Sequence, residues 1–181
     1  MNLSMSGAQL IWLLTLVLTG VAAYTDLRER RIPNWLTAPS LLVGLTLRAW
    51  LGGWRGALTS LEGAGLALVI LLPLVLVRGL GAGDWKLMGA VGAFLGPWMM
   101  LFVLVASFFV TGLVSIVRMA TAGKGKSTLR NMVVLVQGFI AFGMKPNPEI
   151  SLDTPGLIKL PFGATVAAGT LICFVAAHWA L

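Results

Sequence analysis

Long apolar runs, separated by short polar and glycine-rich stretches, recur along almost the whole chain. A helix of about 20 apolar residues crosses the roughly 30 Å hydrocarbon core of a bilayer. The pattern therefore predicts an all-α fold, a polytopic membrane helix bundle with about six transmembrane helices. The predicted spans are residues 8–24, 36–50, 57–77, 87–95, 97–117 and 160–180.

Two stretches decide the number of spans. The apolar stretch 87–119 is too long for one ordinary span and short for two, but Gly96-Pro97 offers a break, because proline removes a backbone donor and disfavours helix in the residue before it. Residues 129–142 form a shorter apolar run, which favours an interfacial helix and leaves a seventh span as the alternative. Its basic flanks are Lys124, Lys126, Arg130 and Lys145.

The composition agrees with a membrane protein. Hydrophobic residues make up 58% of the chain and charged residues 10%, with a mean hydropathy of +0.94. A soluble class is excluded by these values. The spans and their short loops leave no room for a sizeable soluble domain, so residues 1–181 are interpreted as a single transmembrane domain.

The basic residues predict the orientation. With six spans, 11 lysines and arginines fall on one side of the membrane and 2 on the other, and the richer side is the cytoplasmic one. Both termini are then outside, and the +7 net charge indicates contact with anionic membrane lipid and not with nucleic acid. The richer side holds Arg28, Arg30, Arg31, Arg78, Lys86, Arg118, Lys124, Lys126, Arg130, Lys145 and Lys159, and the poorer side Arg48 and Arg55.

Two aspartates stand beside these apolar runs. Asp26 follows the first span and Asp84 precedes the fourth, so the predicted topology places them on the same face of the membrane. A carboxylate next to hydrocarbon needs a partner, a proton or a function. Two that face each other can share one proton and activate a water molecule.

Each aspartate also has a structural interpretation. Asp84 could be the N-cap of the fourth helix, and Asp26 could form an ion pair with Arg28 or Arg30. Pro33 and Asn34 are typical of the break before a helix and of its cap.

No metal site or cofactor site is expected. The single cysteine, Cys173, cannot form an internal disulfide, and His178 has no ligand partner at helical spacing. Both are interpreted as packing residues of the last helix.

Three short motifs, taken in their order along the chain, resemble those of the prepilin peptidase family, whose members are intramembrane aspartyl proteases of the Gly-x-Gly-Asp class. The first motif joins Asp26 and Arg28 to Ile32-Pro33-Asn34, and the second is Gly81-x-Gly83-Asp84-x-Lys86 before a helix rich in glycine and alanine. The third, Leu160-Pro161-Phe162-Gly163, opens the last helix. The short chain resembles members that serve Tad-type (Flp) pili and that lack a cysteine-rich methyltransferase part.

The resemblance implies an aspartic endopeptidase of the bacterial inner membrane that cleaves the basic leader of pilin or pseudopilin precursors at the cytoplasmic face. Asp26 and Asp84 would be the catalytic pair, with their roles as base and acid left open. Gly81 and Gly83 would let an extended substrate approach, with positive φ possible at Gly83, and Lys86 would hold or tune the pair. Pro33 and Asn34 belong to the matched motif.

Two other functional classes fit the same residues. A small proton- or cation-coupled transporter subunit would use Asp26 and Asp84 as intramembrane carboxylates, although no internal repeat is evident. A non-catalytic subunit of a secretion machine would need neither. Cleavage of a pilin precursor separates the first class from both, and ion flux separates the other two.

Overall fold

The computed structural model describes residues 6–76, 79–121 and 162–179, and every regular element in these ranges is an α-helix. The all-helical prediction is therefore confirmed. The helices are α1 Gly7–Glu29, α2 Asn34–Leu76, α3 Ala82–Leu95, α4 Pro97–Thr121 and α5 Phe162–Trp179. The interfacial helix predicted at 129–142 lies outside the described residues.

Helix α2 folds back on itself at Gly53. This glycine has φ 58° and ψ −145°, which is not helical and which side chains disfavour. The fold is so tight that a methyl group on Gly56 would overlap the carbonyl group of Arg48. We call residues 34–52 the first arm of α2 and residues 54–76 its second arm. The break lies between the predicted spans 36–50 and 57–77.

Helix α3 packs against both arms of α2. Gly44 of the first arm faces the backbone of Ala93 and Phe94, and Gly63 of the second arm faces the backbone of Gly92. The absence of side chains at these crossings lets the helix axes approach closely. The indole N–H of Trp85 also donates to the Leu68 carbonyl group at 2.8 Å. Residues 87–95 of α3 are all buried, so this short helix is the centre of the core.

The break between α3 and α4 confirms the predicted one. Gly96 has φ 79°, a left-handed value suited to glycine, and Pro97 begins α4. The Arg48 guanidinium donates to the Phe94 carbonyl group at 2.7 Å, which satisfies a carbonyl in the last turn of α3. The start of α3 differs from the prediction of residue 87, because the helix already begins at Ala82.

Helix α5 runs antiparallel to α1 and α4. Trp12 packs on Phe174 with ring centroids 5.7 Å apart, while Asp26 at the other end of α1 contacts Gly163. The hydroxyl of Thr111 in α4 donates to that of Thr165 at 2.7 Å. We call the end of the bundle that holds Asp26, Asp84 and Gly163 the aspartate end, and the end near Arg48 the opposite end.

Three of the described helices are long and apolar enough to cross a membrane: α1, α2 and the Pro97–Arg118 part of α4. Large apolar side chains point outward from them, including Val69 at 67% exposure and Phe109 at 76%. Exposed apolar faces of this extent are typical of contact with lipid. The predicted count of about six spans is not confirmed.

The crossing of α2 and α3 gives a test of the fold. We expect Gly63→Ala to destabilise the protein by about 1–3 kcal/mol, because the added methyl group would overlap the backbone of Gly92 and Gly96. Gly65→Ala is the matched control, since no atom lies within 4 Å of its added methyl group. Denaturation in detergent measures both, and equal stability of the two variants would contradict this packing.

Candidate active site

Asp26 lies near the carboxyl end of α1, which stops just beyond it. Arg30 ends the helix in a left-handed conformation with φ 54°, and its backbone N–H donates to the Asp26 carbonyl group at 2.9 Å. Arginine adopts this conformation at some cost, which helical C-caps commonly avoid by using glycine. The turn at Arg30 sends the chain across the aspartate end toward α2.

The Asp26 side chain is buried, with 8% exposure, and its carboxylate contacts the beginning of α5. The backbone N–H of Gly163 donates to Asp26 Oδ2 at 2.7 Å. Nothing in the sequence argument predicted this bond. Gly163 belongs to the Leu160-Pro161-Phe162-Gly163 motif, which was part of the family resemblance. The sequence feature that could have indicated the bond is a glycine at the start of the last helix, which the predicted topology places on the same side of the membrane as Asp26.

The structural interpretation of Asp26 as part of an ion pair finds no support among the described side chains. The guanidinium of Arg28 donates to the Tyr24 hydroxyl at 2.7 Å and lies over its ring. Arg30 contacts Asp26 through the backbone. Within the ranges that the structure describes, Asp26 therefore meets a neutral backbone donor and not a cation.

Asp84 occupies the third position of α3 and not its N-cap, so the N-cap interpretation is wrong. Gly81 is the N-cap residue. A carboxylate in the first turn also interacts favourably with the positive end of the helix dipole. The Asp84 side chain is half-buried.

The two carboxyl groups interact electrostatically. Asp84 precedes the apolar run of α3 and lies outside the three candidate spans. Its burial, and then the negative charge of Asp26, raise the pKa of Asp84 to about 7, while the backbone N–H of Gly81 acts in the opposite direction. Like charges that face each other titrate as a unit, so the pair takes up a proton as the pH falls through about 7.

Ile32 joins the two sides of the site. A methyl group built on Gly83 would lie 3.0 Å from the Ile32 carbonyl oxygen, and one built on Gly163 would lie 3.2 Å from Ile32 Cδ1. The buried Ile32 side chain is thus wedged between the start of α3 and the start of α5. Ile32 belongs to the Ile32-Pro33-Asn34 motif, for which the sequence predicted no packing role at this residue.

Gly83 serves this packing and not an unusual turn. It lies inside α3, and the positive-φ glycines among the described residues are Gly53 and Gly96. The expectation of positive φ at Gly83 is therefore wrong. A methyl group on Gly81 would come within 2.9 Å of Asp84 Oδ2, so both glycines of the motif leave room at the aspartate end.

Lys86 and Asn34 form a bond between the two motifs. The Lys86 ammonium group donates to Asn34 Oδ1 at 2.9 Å, on the exposed surface. Asn34 is the first residue of α2, and the Pro33 carbonyl group accepts the N–H of Leu36 at 3.1 Å. Among the described residues, the hydrogen-bond acceptor of Lys86 is therefore the Asn34 side chain and not a carboxylate.

Within the described ranges no group of three histidine, cysteine or acidic residues is placed to hold a metal ion. Cys173 is half-buried on α5, and His178 stacks on Phe174 with ring centroids 4.4 Å apart.

A family model described as the type IV leader peptidase family matches residues 12–116. The match covers more than half of the chain and includes both aspartates, whereas Gly163 lies beyond it. Comparisons with curated proteins and with solved structures gave no significant match.

The interaction between the carboxyl groups can be tested without substrate. We expect Asp26→Asn to lower the pKa of Asp84 from about 7, because a facing negative charge is removed, yet to leave it above the usual value, because burial remains. An infrared titration of the carboxyl group in detergent measures this pKa. Glu62→Gln, an exposed change on the second arm, should leave it unchanged. An unchanged pKa in Asp26→Asn would show that the two groups do not interact.

Proposed function

Because the chain belongs to the type IV leader peptidase family, we propose that it is an aspartic endopeptidase that removes the basic leader of type IV pilin precursors, with Asp26 and Asp84 as its catalytic pair. The observation that carries the proposal is the placement of both acids at one end of the bundle, where Ile32 packs against Gly83, next to Asp84, and against Gly163, the hydrogen-bond partner of Asp26. The more specific substrate, a pilin or pseudopilin precursor of the Tad (Flp) type, rests on the resemblance of the motifs.

Two carboxyl groups that hold one proton suit peptide hydrolysis. The ionised group takes a proton from water, and the protonated group donates its proton to the carbonyl oxygen of the scissile peptide. The pKa of about 7 at Asp84 supports a protonated Asp84 at pH values below about 7. Asp26 lies where α1 meets the beginning of α5, and Asp84 lies in the first turn of α3.

We also propose a multi-pass arrangement in the bacterial inner membrane. The two arms of α2, together with α1, α3, α4 and α5, run back and forth between the aspartate end and the opposite end. Among the described residues, Arg28, Arg30, Arg31, Lys86 and Arg118 fall toward the aspartate end, while Arg48 and Arg55 fall toward the opposite end. We propose that the aspartate end faces the cytoplasm, as the basic residues favour.

Single substitutions of the two aspartates test the function. Asp26→Asn and Asp84→Asn should each abolish leader removal while leaving membrane insertion intact, and the double variant should be no worse, because the two groups act in one step. Incubation of a pilin precursor with purified protein in detergent or lipid vesicles, followed by gel shift and mass spectrometry, measures cleavage. Glu62→Gln is the control, since this acid is exposed and remote from the site.

Processing at close to the wild-type rate by either single variant would rule out the two-aspartate mechanism. A wild-type protein that cleaves no precursor but conducts protons or cations would instead favour the transporter class, in which the same carboxylates bind the ion.

Site-directed labelling tests the orientation. In a background with Cys173 replaced, cysteines introduced at Arg30 and Lys86 should be protected from an impermeant thiol reagent added outside, because both lie at the aspartate end. A cysteine at Trp54, at the opposite end and 76% exposed, should be labelled. Labelling of the Lys86 position from outside would place the aspartate end on the wrong side for a leader that stays in the cytoplasm.

A further inference from the structure

The bond between Gly163 and Asp26 favours one protonation state. The donor is a backbone N–H in the first turn of α5, where such groups have no partner inside the helix and carry partial positive charge. The distance of 2.7 Å is at the short end of the range for N–H···O hydrogen bonds. A hydrogen bond to the charged form stabilises that form, and this bond offsets part of the cost of burying the Asp26 charge.

Asp84 is in the opposite situation. It is half-buried next to the apolar run of α3, it faces the charge of Asp26, and the backbone N–H of Gly81 compensates only in part. The resulting pKa of about 7 agrees with a group that keeps its proton when Asp26 is ionised.

The position of Gly163 leaves no room for a side chain. A methyl group there would lie 3.0 Å from Asp26 Oδ2 and 3.1 Å from Asp26 Cβ, closer than ordinary contact. It would also lie 3.2 Å from Ile32 Cδ1, so Asp26 would have to move away from the N–H. The hydrogen bond between Gly163 and Asp26 therefore requires glycine at position 163.

We propose that Gly163 is a positioning residue that holds Asp26 in the ionised form, so that Asp26 is the base of the reaction and Asp84 the acid. This inference rests on the proposed function and assigns the two roles within it. Gly163 does not touch the reacting atoms and acts through Asp26.

The roles give a balanced reaction. Asp26 takes a proton from water as the hydroxide oxygen bonds to the peptide carbon, and Asp84 gives its proton to the carbonyl oxygen, which forms a neutral tetrahedral diol. Asp26 then returns its proton to the amide nitrogen as the C–N bond breaks, while Asp84 removes a proton from one diol hydroxyl. The products are a carboxylic acid and an amine, and both aspartates regain their starting states.

Few groups can disturb this assignment. Among the described residues, Asp84 on α3 is the titratable group that faces Asp26, while Ile32 and Gly163, from the linker and α5, carry no charge. Arg30 contacts Asp26 through its backbone N–H, and Lys86 is bonded to Asn34. The acid limb of a pH–rate profile should therefore report Asp26, and the alkaline limb Asp84.

The test compares two alanine substitutions in α5. Gly163→Ala should lower kcat for precursor cleavage by about tenfold to a hundredfold with little change in KM, because the base is displaced. Its acid limb should move to higher pH, since the ionised carboxylate loses its hydrogen bond, and its alkaline limb should stay. Gly169→Ala is the matched control, because its added methyl group would lie only 2.8 Å from the backbone nitrogen of Ser107 in α4. This variant should lose stability without moving either limb of the pH–rate profile.

A second variant separates the effect of losing the hydrogen bond between Gly163 and Asp26 from the effect of the added methyl group. An amide-to-ester change at Gly163 replaces the N–H by oxygen and adds no side chain, so it should move the acid limb in the same direction even if Gly163→Ala does not fold. If the ester variant has the same pH–rate profile as the wild type, the inference is overturned. It is also overturned if the acid limb moves as far in Gly169→Ala as in Gly163→Ala. Active Asp26→Asn or Asp84→Asn would instead overturn the proposed function, so the two failures are distinct.

Discussion

The close approach of α3 to the two arms of α2 is the constraint on which the rest of the structure depends. Gly44 and Gly63 bring the arms against the backbone of α3, and in the absence of a hydrophobic force between helices in lipid such contact is the main source of packing energy. This clamp fixes the position of α3, so residues 87–95 are buried and Asp84 lies in the first turn at the aspartate end. The position of Asp84 is therefore set by glycines of α2 that contact the other end of α3.

The other acid depends on a different part of the bundle. Asp26 belongs to α1 and is held by α5, whereas Asp84 belongs to the unit formed by α2 and α3. Ile32 touches the first turns of both α3 and α5 and thus keeps the two parts in register. The two proposed roles can then coexist, because Gly163 donates to Asp26, whereas burial and the charge of Asp26 outweigh the Gly81 donor at Asp84.

Much of this arrangement followed from local patterns in the sequence. The break at Gly96-Pro97 was predictable because proline imposes it within a few residues, and the helical class followed from the apolar runs. The start of α3 was placed too late, because Gly81 and Gly83 were interpreted as a turn although Gly83 packs inside the helix. The contacts made by Gly163 and Ile32 were not predicted. Every residue except proline has a backbone N–H, so the sequence does not show which one donates to Asp26, and its location depends on the packing of the whole bundle.

The bond between Asp26 and Gly163 also determines when the site can exist. These residues are 137 positions apart, while the hairpin of α2 and its contacts with α3 close over much shorter segments. Contacts of high sequence separation form late, and a chain made on the ribosome exposes its first helices long before its last. Asp26 enters the membrane early without its donor and gains it only when α5 is in place. The proposed catalytic pair is therefore assembled only after α5 has been made, so a shorter chain holds both acids but not the hydrogen bond between Asp26 and Gly163.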